Sequence, residues 1–196
     1  MIWNWPNILT WLRILAIPLI VVLFVFGGHG RNDLADPIAG LLFAAAAITD
    51  SLDGYLARRL GQTTRLGTFL DPVADKLMVA VALVLIVSRD ASAVMVLTAA
   101  VIIGREIAIS ALREWMAGIG QRTAVAVSRI GKFKTIVQMV GLTMLLFRHP
   151  LVGLPIYLMG EWLTVLAAVL TLISMVLYLR AAWPHLSAQT LSLIHI

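Results

Sequence analysis

Apolar residues run in long blocks along this chain, with no strand-like alternation. Six such blocks fall at about 8–26, 37–57, 72–87, 93–112, 131–147 and 163–179. Each approaches the ~20 helical residues needed to cross a ~30 Å hydrocarbon layer. The third, fourth and fifth are interrupted by Asp75 and Lys76, by Arg105 and Glu106, and by Lys132 and Lys134. Ionisable groups at such depth read as lining an interior, because facing lipid would be costly. Between the blocks lie 29–33, 61–65, 88–90 and 148–150, rich in Gly, Asn, Asp, Ser, Thr and Pro, which read as loops. The pattern predicts an all-α integral membrane protein of six transmembrane helices, a single domain over residues 1–188 with an uninformative tail at 189–196. Pro72 is expected at the first helical position of the third span, where its missing N–H costs nothing.

Composition agrees: 61% of the residues are hydrophobic, 13% are charged and mean hydropathy is +0.96, beyond what a soluble core requires. The net charge of +5 points to anionic headgroups beside the spans, with no call for nucleic acid. The absence of cysteine excludes thiolate chemistry and disulfides. The first block lacks a basic leader and a small-residue cleavage site, and so reads as a retained span. Trp3, Trp5 and Trp11 suit an interfacial anchor. Arg58, Arg59, Arg65, Arg113, Arg122, Arg129, Lys132, Lys134 and Arg180 fall on one side of the six spans, against Arg31, Arg89 and Arg148 on the other. The positive-inside rule places the first set, and with six spans both termini, in the cytoplasm.

The candidate chemistry lies where the second block ends and the third begins. Asp50, Asp53, Gly54, Ala57, Arg58, Gly67, Asp71 and Asp75 spell D-x2-D-G-x2-A-R-x8-G-x3-D-x3-D. A carboxylate in hydrocarbon costs roughly 2.5–3.5 kcal/mol on insertion scales, so four of them at one depth imply bound cations. Spacings of three and four put Asp50, Asp53, Gly54, Ala57 and Arg58 on one helical face, and Asp71 with Asp75 on another. A helix–loop–helix hairpin would bring the pairs together. Two divalent cations would offset four carboxylates, and an all-oxygen donor set selects Mg²⁺ or Mn²⁺. No histidine lies within a span, which weakens a zinc reading, and an EF-hand reading fails on its register. Gly54, Ala57 and Gly67 would let a ligand approach the metals, although small residues at such spacing also serve close helix packing.

This eight-residue pattern resembles the signature of the CDP-alcohol phosphotransferases, without a substitution. The likeness extends over roughly residues 4–140, through Asn4–Thr10 with Arg13 and Pro18, Thr49–Arg59, Leu70–Lys76, Gly104–Ala117, and Gly131–Thr135 with Gln138. The resemblance implies a six-helix, homodimeric enzyme of the bacterial inner membrane with a dinuclear site facing the cytoplasm. It would move a phosphatidyl group from CDP-diacylglycerol to glycerol 3-phosphate and release CMP, in phospholipid synthesis. It implies Asp50, Asp53, Asp71 and Asp75 as ligands of two Mg²⁺ or Mn²⁺ ions, with Asp75 also the base on the acceptor hydroxyl. Asp50, Gly54, Ala57, Arg58 and Gly67 would meet the nucleotide of the donor.

A dianionic acceptor needs fixed cations, and Arg binds phosphate in bidentate fashion. Arg105, Arg113, Lys132 and Lys134 are the candidates, with Thr10 and Arg13 bordering the site. The competing reading for Arg105 is an internal pair with Glu106 that only neutralises charge, and for Arg13 snorkelling to the interface. Other acceptors used within the family, namely serine, inositol phosphate or phosphatidylglycerol, stay open. A divalent-cation transporter would also need membrane aspartates, but would not set cationic side chains beside them.

Overall fold

The computed structural model describes residues 5–27, 34–60, 65–120 and 129–193. Within its helices the side chains of 5–8, 51–60, 65–66, 68–69, 129–130, 132 and 184–193 are not described. The Trp3 anchor and the loops at 29–33 and 61–64 lie outside the described residues. Six helices account for nearly all of the described chain: α1 (Trp5–Val22), α2 (Ala35–Leu60), α3 (Arg65–Arg89), α4 (Ala93–Gly118), α5 (Arg129–Phe147) and α6 (Ile156–Leu193). A π-helical turn at Leu23–Gly27 continues α1. No strand occurs among the described residues, and one isolated bridge joins Leu151 to Leu154.

The protein is an all-α membrane protein. Leu9–Gly27, Ala93–Gly118 and Ile156–Trp183 are long and apolar enough to cross a bilayer unaided, and Phe133–Phe147 adds a shorter apolar helix. The remaining helices, α2 and α3, carry the aspartates. Their ionisable groups take them out of the class of simple apolar spans, so neighbouring helices must shield them.

Two expected boundaries are corrected. Pro72 lies inside α3, which begins at Arg65, because a membrane helix tolerates an interior proline where neighbours satisfy the backbone group it frees. α6 starts at Ile156, ahead of the expected 163, and runs without a break through 188 to Leu193. Gly160 and Glu161 interrupt the apolar run in sequence but do not end the helix. A Cβ on Gly160 would stand 2.8 Å from Met144 Cβ, and one on Gly141 2.6 Å from Thr164 Oγ1. These glycines let α5 and α6 cross at close range, the use of small residues that lipid-embedded packing favours.

Phe24, Phe43, Met78, Leu83, Ile86, Ile102, Leu142, Leu145 and Leu146 form the main core. A smaller cluster of Ile109, Met116, Tyr178 and Ala182 joins α4 to α6. α1 packs on both α2 and α3, as does α5, whose largest partner is α6, while α2 and α3 touch each other little among the described residues. Asp50 of α2 and Asp71 and Asp75 of α3 border one opening between the two helices, flanked by α1 and α5.

At one end of the bundle charged groups form a clasp. Arg89 Nη1 meets Asp36 Oδ1 at 2.6 Å, its guanidinium lies 3.6 Å from the Phe24 ring centroid, and Nη2 donates to the Phe24 carbonyl. Arg148 binds Asp90 through both terminal nitrogens, at 2.6 and 3.1 Å, and lies over the Tyr157 ring. Arg148 and Val152 take positive φ values of 65° and 52°, a strained choice for residues with a Cβ, and the paired hydrogen bonds to Asp90 hold the first of them. Burial pushes the Asp90 carboxyl up. Hydrogen bonds from Arg148 and Tyr157 and the charges of Arg148 and Arg89 outweigh it and hold the group below the usual carboxylate range. From Asp36 to Asp50 the α2 axis rises about 21 Å, less than the ~30 Å hydrocarbon thickness.

Candidate active site

Asp50 reaches the opening between α2 and α3 from α2, while Asp71 and Asp75 reach it from successive turns of α3. Arg13 of α1 sits between them. Its Nη1 lies 2.6 Å from Asp50 Oδ1 and 2.9 Å from Asp75 Oδ1, and its side chain has no exposed surface. Arg13 therefore does not snorkel. One turn earlier on α1, the buried Thr10 hydroxyl donates to Asp71 Oδ1 at 2.6 Å. Thr10 and Arg13, expected beside the acceptor phosphate, are thus placed on the carboxylates.

A second group gathers across α4, α5 and α6. Glu106 Oε1 accepts from Lys134 Nζ at 2.6 Å and from Arg105 Nη1 at 3.0 Å. Arg105 Nη2 donates to Ser174 Oγ at 2.7 Å, and that hydroxyl donates to the Thr171 carbonyl. Arg113, two turns along α4, donates to the Tyr178 hydroxyl at 2.7 Å. The Tyr178 ring lies 5.8 Å from the Arg105 guanidinium carbon and 5.0 Å from that of Arg113, within cation–π range. The Arg105–Glu106 pair weighed from sequence is present, and it includes Lys134. Arg105 and Lys134 are buried, and among the described residues both pair with the one carboxylate of Glu106.

The two groups share one cavity of about 300 Å³, lined by Asp50, Asp71, Asp75 and Lys76 on one side and by Glu106, Lys134 and Gln138 on the other. The buried Gln138 Oε1 and the buried Nε atoms of Arg105 and Arg113 have no hydrogen-bond partner among the described residues. Unpaired polar atoms in a membrane interior are costly, and of these residues Gln138 lines the cavity, where a polar ligand would satisfy its oxygen. A groove between α2 and α5, about 430 Å³ and mostly apolar, also ends on Asp50. Another, of about 310 Å³ between α3 and α4, touches Lys76 and Glu106.

Of the residues singled out in the sequence, Asp53, Gly54, Ala57 and Arg58 fall on α2 and Lys132 on α5, with side chains outside the described set. Gly67 is buried on α3. Ser174 and Tyr178 gave no motif. The only signal they offered was a polar set with Thr171, spaced three and four apart in an otherwise apolar span.

Asp50, Asp71 and Asp75 are hard oxygen donors facing one cavity, a chemistry that fits a divalent cation. Among the described residues, no three His, Asp or Glu side chains stand close enough together to hold a metal ion. Ligation by this set would need release of the Arg13 bridge or a further ligand.

A family model described as CDP-alcohol phosphatidyltransferase matches residues 3–173. The chain belongs to the CDP-alcohol phosphatidyltransferase family. It is similar to a CDP-diacylglycerol–glycerol-3-phosphate 3-phosphatidyltransferase of Pseudomonas fluorescens, 50% identical over 95% of this chain and 93% of that one. Proteins of the same name from Salmonella choleraesuis (strain SC-B67) and Shigella flexneri serotype 5b (strain 8401) are 50% and 48% identical, covering 91% and 95% of this chain and 94% and 98% of theirs. Membership makes the protein a transferase of phospholipid biosynthesis, in a family that generally depends on divalent metal. A transporter reading gives way to an enzyme.

Proposed function

We propose that the protein transfers the phosphatidyl group of CDP-diacylglycerol to sn-glycerol 3-phosphate and releases CMP. The observation that carries this reading is the single cavity with carboxylates on one wall and a buried cationic group on the other. Asp50, Asp53, Asp71 and Asp75 would hold two Mg²⁺ or Mn²⁺ ions, which supply electrophilic activation of the diphosphate and charge neutralisation of the departing CMP. The donor's nucleotide would lie along Asp50, Gly54, Ala57, Arg58 and Gly67, and the α2/α5 groove ending at Asp50 has room for an acyl chain.

Arg105 and Lys134, together with Arg113 and Lys132, would hold the phosphate of the acceptor. That fixes its free hydroxyl toward Asp75, a positioning effect worth several orders of magnitude in rate. Asp75 takes the hydroxyl proton as the acceptor oxygen bonds to the phosphatidyl phosphorus and the bond from that phosphorus to the CMP oxygen breaks. Buried cations left without a phosphate would penalise a neutral acceptor, which favours glycerol 3-phosphate over serine. The same reading places a homodimer in the bacterial inner membrane, with the site and both termini facing the cytoplasm.

Purified protein in proteoliposomes, given CDP-diacylglycerol and a panel of acceptors, tests the assignment. Glycerol 3-phosphate should support CMP release, with glycerol, serine and inositol phosphate well below it. Faster turnover with serine would overturn the acceptor assignment.

A further inference from the structure

Glu106 has no role in the transfer as written, yet it occupies the centre of the cationic group. One of its oxygens accepts from both Arg105 and Lys134, at 3.0 and 2.6 Å. The same side chain lines the cavity shared with Asp50, Asp71 and Asp75. Arg105 and Lys134 are more than nine-tenths buried, whereas the Glu106 side chain keeps 26% of its surface exposed. The cations are enclosed and the anion is the accessible partner. Ser174 anchors Arg105 from the far side, so the guanidinium stays in place if Glu106 leaves.

We propose that Glu106 is a specificity-determining residue that stands in for the phosphate of the acceptor: its carboxylate holds the phosphate's place between Arg105 and Lys134 and is displaced when glycerol 3-phosphate enters. The idea rests on the acceptor reading given above. A monoanionic carboxylate keeps two buried cations neutralised in the empty enzyme, avoiding the cost of unpaired charge. An incoming group must outcompete it. A dianionic phosphate ester, with more charge and three acceptor oxygens, can do so, while a neutral alcohol gains nothing by trying. Selection against neutral acceptors would thus come from a repulsive element as well as an attractive one.

The sign of one kinetic effect decides the matter. Glu106→Gln preserves an oxygen for hydrogen bonding while removing the competing charge, so the KM for glycerol 3-phosphate should fall by roughly three- to tenfold. The inhibition constant of inorganic phosphate should fall in step, with a much smaller change in the KM for CDP-diacylglycerol. If Glu106 merely supports the arginine, the acceptor KM rises instead, and the proposal is wrong. Arg105→Ala run in parallel separates this failure from that of the underlying reading. An acceptor KM unchanged in Arg105→Ala removes the phosphate from this pocket altogether. A KM raised in both variants keeps the pocket and sinks the stand-in.

Should Glu106→Gln not fold, the wild type still reports. The chain has only three glutamates, Glu106, Glu114 and Glu161. With ¹³C-labelled glutamate, infrared difference spectra on adding glycerol 3-phosphate without donor should show a shifted carboxylate stretch. An unchanged spectrum at saturating glycerol 3-phosphate would overturn the displacement.

Discussion

Arg13 supplies the positive charge between Asp50 and Asp75, so its replacement should matter most when no divalent cation is present. Breaking a fully buried ion pair costs about 3–5 kcal/mol, and losing an exposed one about 0.2–1 kcal/mol. Here the arginine side chain is wholly buried, while those of Asp50 and Asp75 are 26% and 37% exposed, which places Arg13→Ala near ~2 kcal/mol. For a chain of this length that is a fall in Tm of roughly 4–8 °C. Divalent cations would replace the lost positive charge, and the missing guanidinium would no longer repel them. The Mg²⁺-induced rise in Tm should therefore be larger in Arg13→Ala than in the wild type, recovering at least half of the deficit measured in EDTA. Thermal unfolding of detergent-purified protein in EDTA and in Mg²⁺ gives the four values required. An equal deficit under both conditions would refute the reasoning and reduce Arg13 to a packing residue.

At the opposite end of the bundle, Asp90→Asn should lower Tm at pH 7 by ~2–4 °C, for about 1 kcal/mol from a pair one-third exposed. Because the folded carboxyl is held below its ordinary range, its contribution is present in full above the unfolded value of about 3.9 and fades as pH falls through the folded value. The gap between wild-type and variant Tm should begin to narrow below about pH 4 and close as the folded carboxyl takes up its proton, and a gap that does not narrow with falling pH would show that the clasp is not ionic. In the α5–α6 crossing, Gly141→Ala puts a Cβ 2.6 Å from Thr164 Oγ1 and 3.0 Å from its backbone nitrogen, an overpacking cost of about 1–3 kcal/mol. Gly104→Ala meets nothing within 4 Å and should be neutral or slightly stabilising. Equal Tm values for the two variants would contradict the close approach of the helices.

The helical membrane architecture was legible because lipid removes most alternatives to the helix, and apolar length then reports each span. Boundaries were less legible where a residue has two uses. Pro72 and Gly160 look like helix ends, but one lies within α3 and the other is a packing contact. The aspartates were legible from their cost in hydrocarbon together with their spacing. Their neighbours were not: that Arg13 and Thr10 would land on Asp50, Asp75 and Asp71, some sixty residues away along the α3 partners, depends on α1 lying between α2 and α3, which no local pattern encodes. Ser174 and Tyr178 are harder still, since single polar residues in an apolar helix acquire meaning only from what α4 presents to them.

The central claim is that Asp50, Asp71 and Asp75 hold divalent cations that enable transfer to an acceptor bound across the same cavity. The measurement that tests it most directly is CMP release from CDP-diacylglycerol and glycerol 3-phosphate, followed against Mg²⁺ or Mn²⁺ concentration for the wild type and Asp71→Asn. The account predicts no release in EDTA, restoration by either cation in the wild type, and a loss of at least about a hundredfold in the variant at saturating metal, of the order expected when a catalytic electrostatic contact is removed. Full activity of the wild type in excess EDTA, or of Asp71→Asn at any metal concentration, would contradict it.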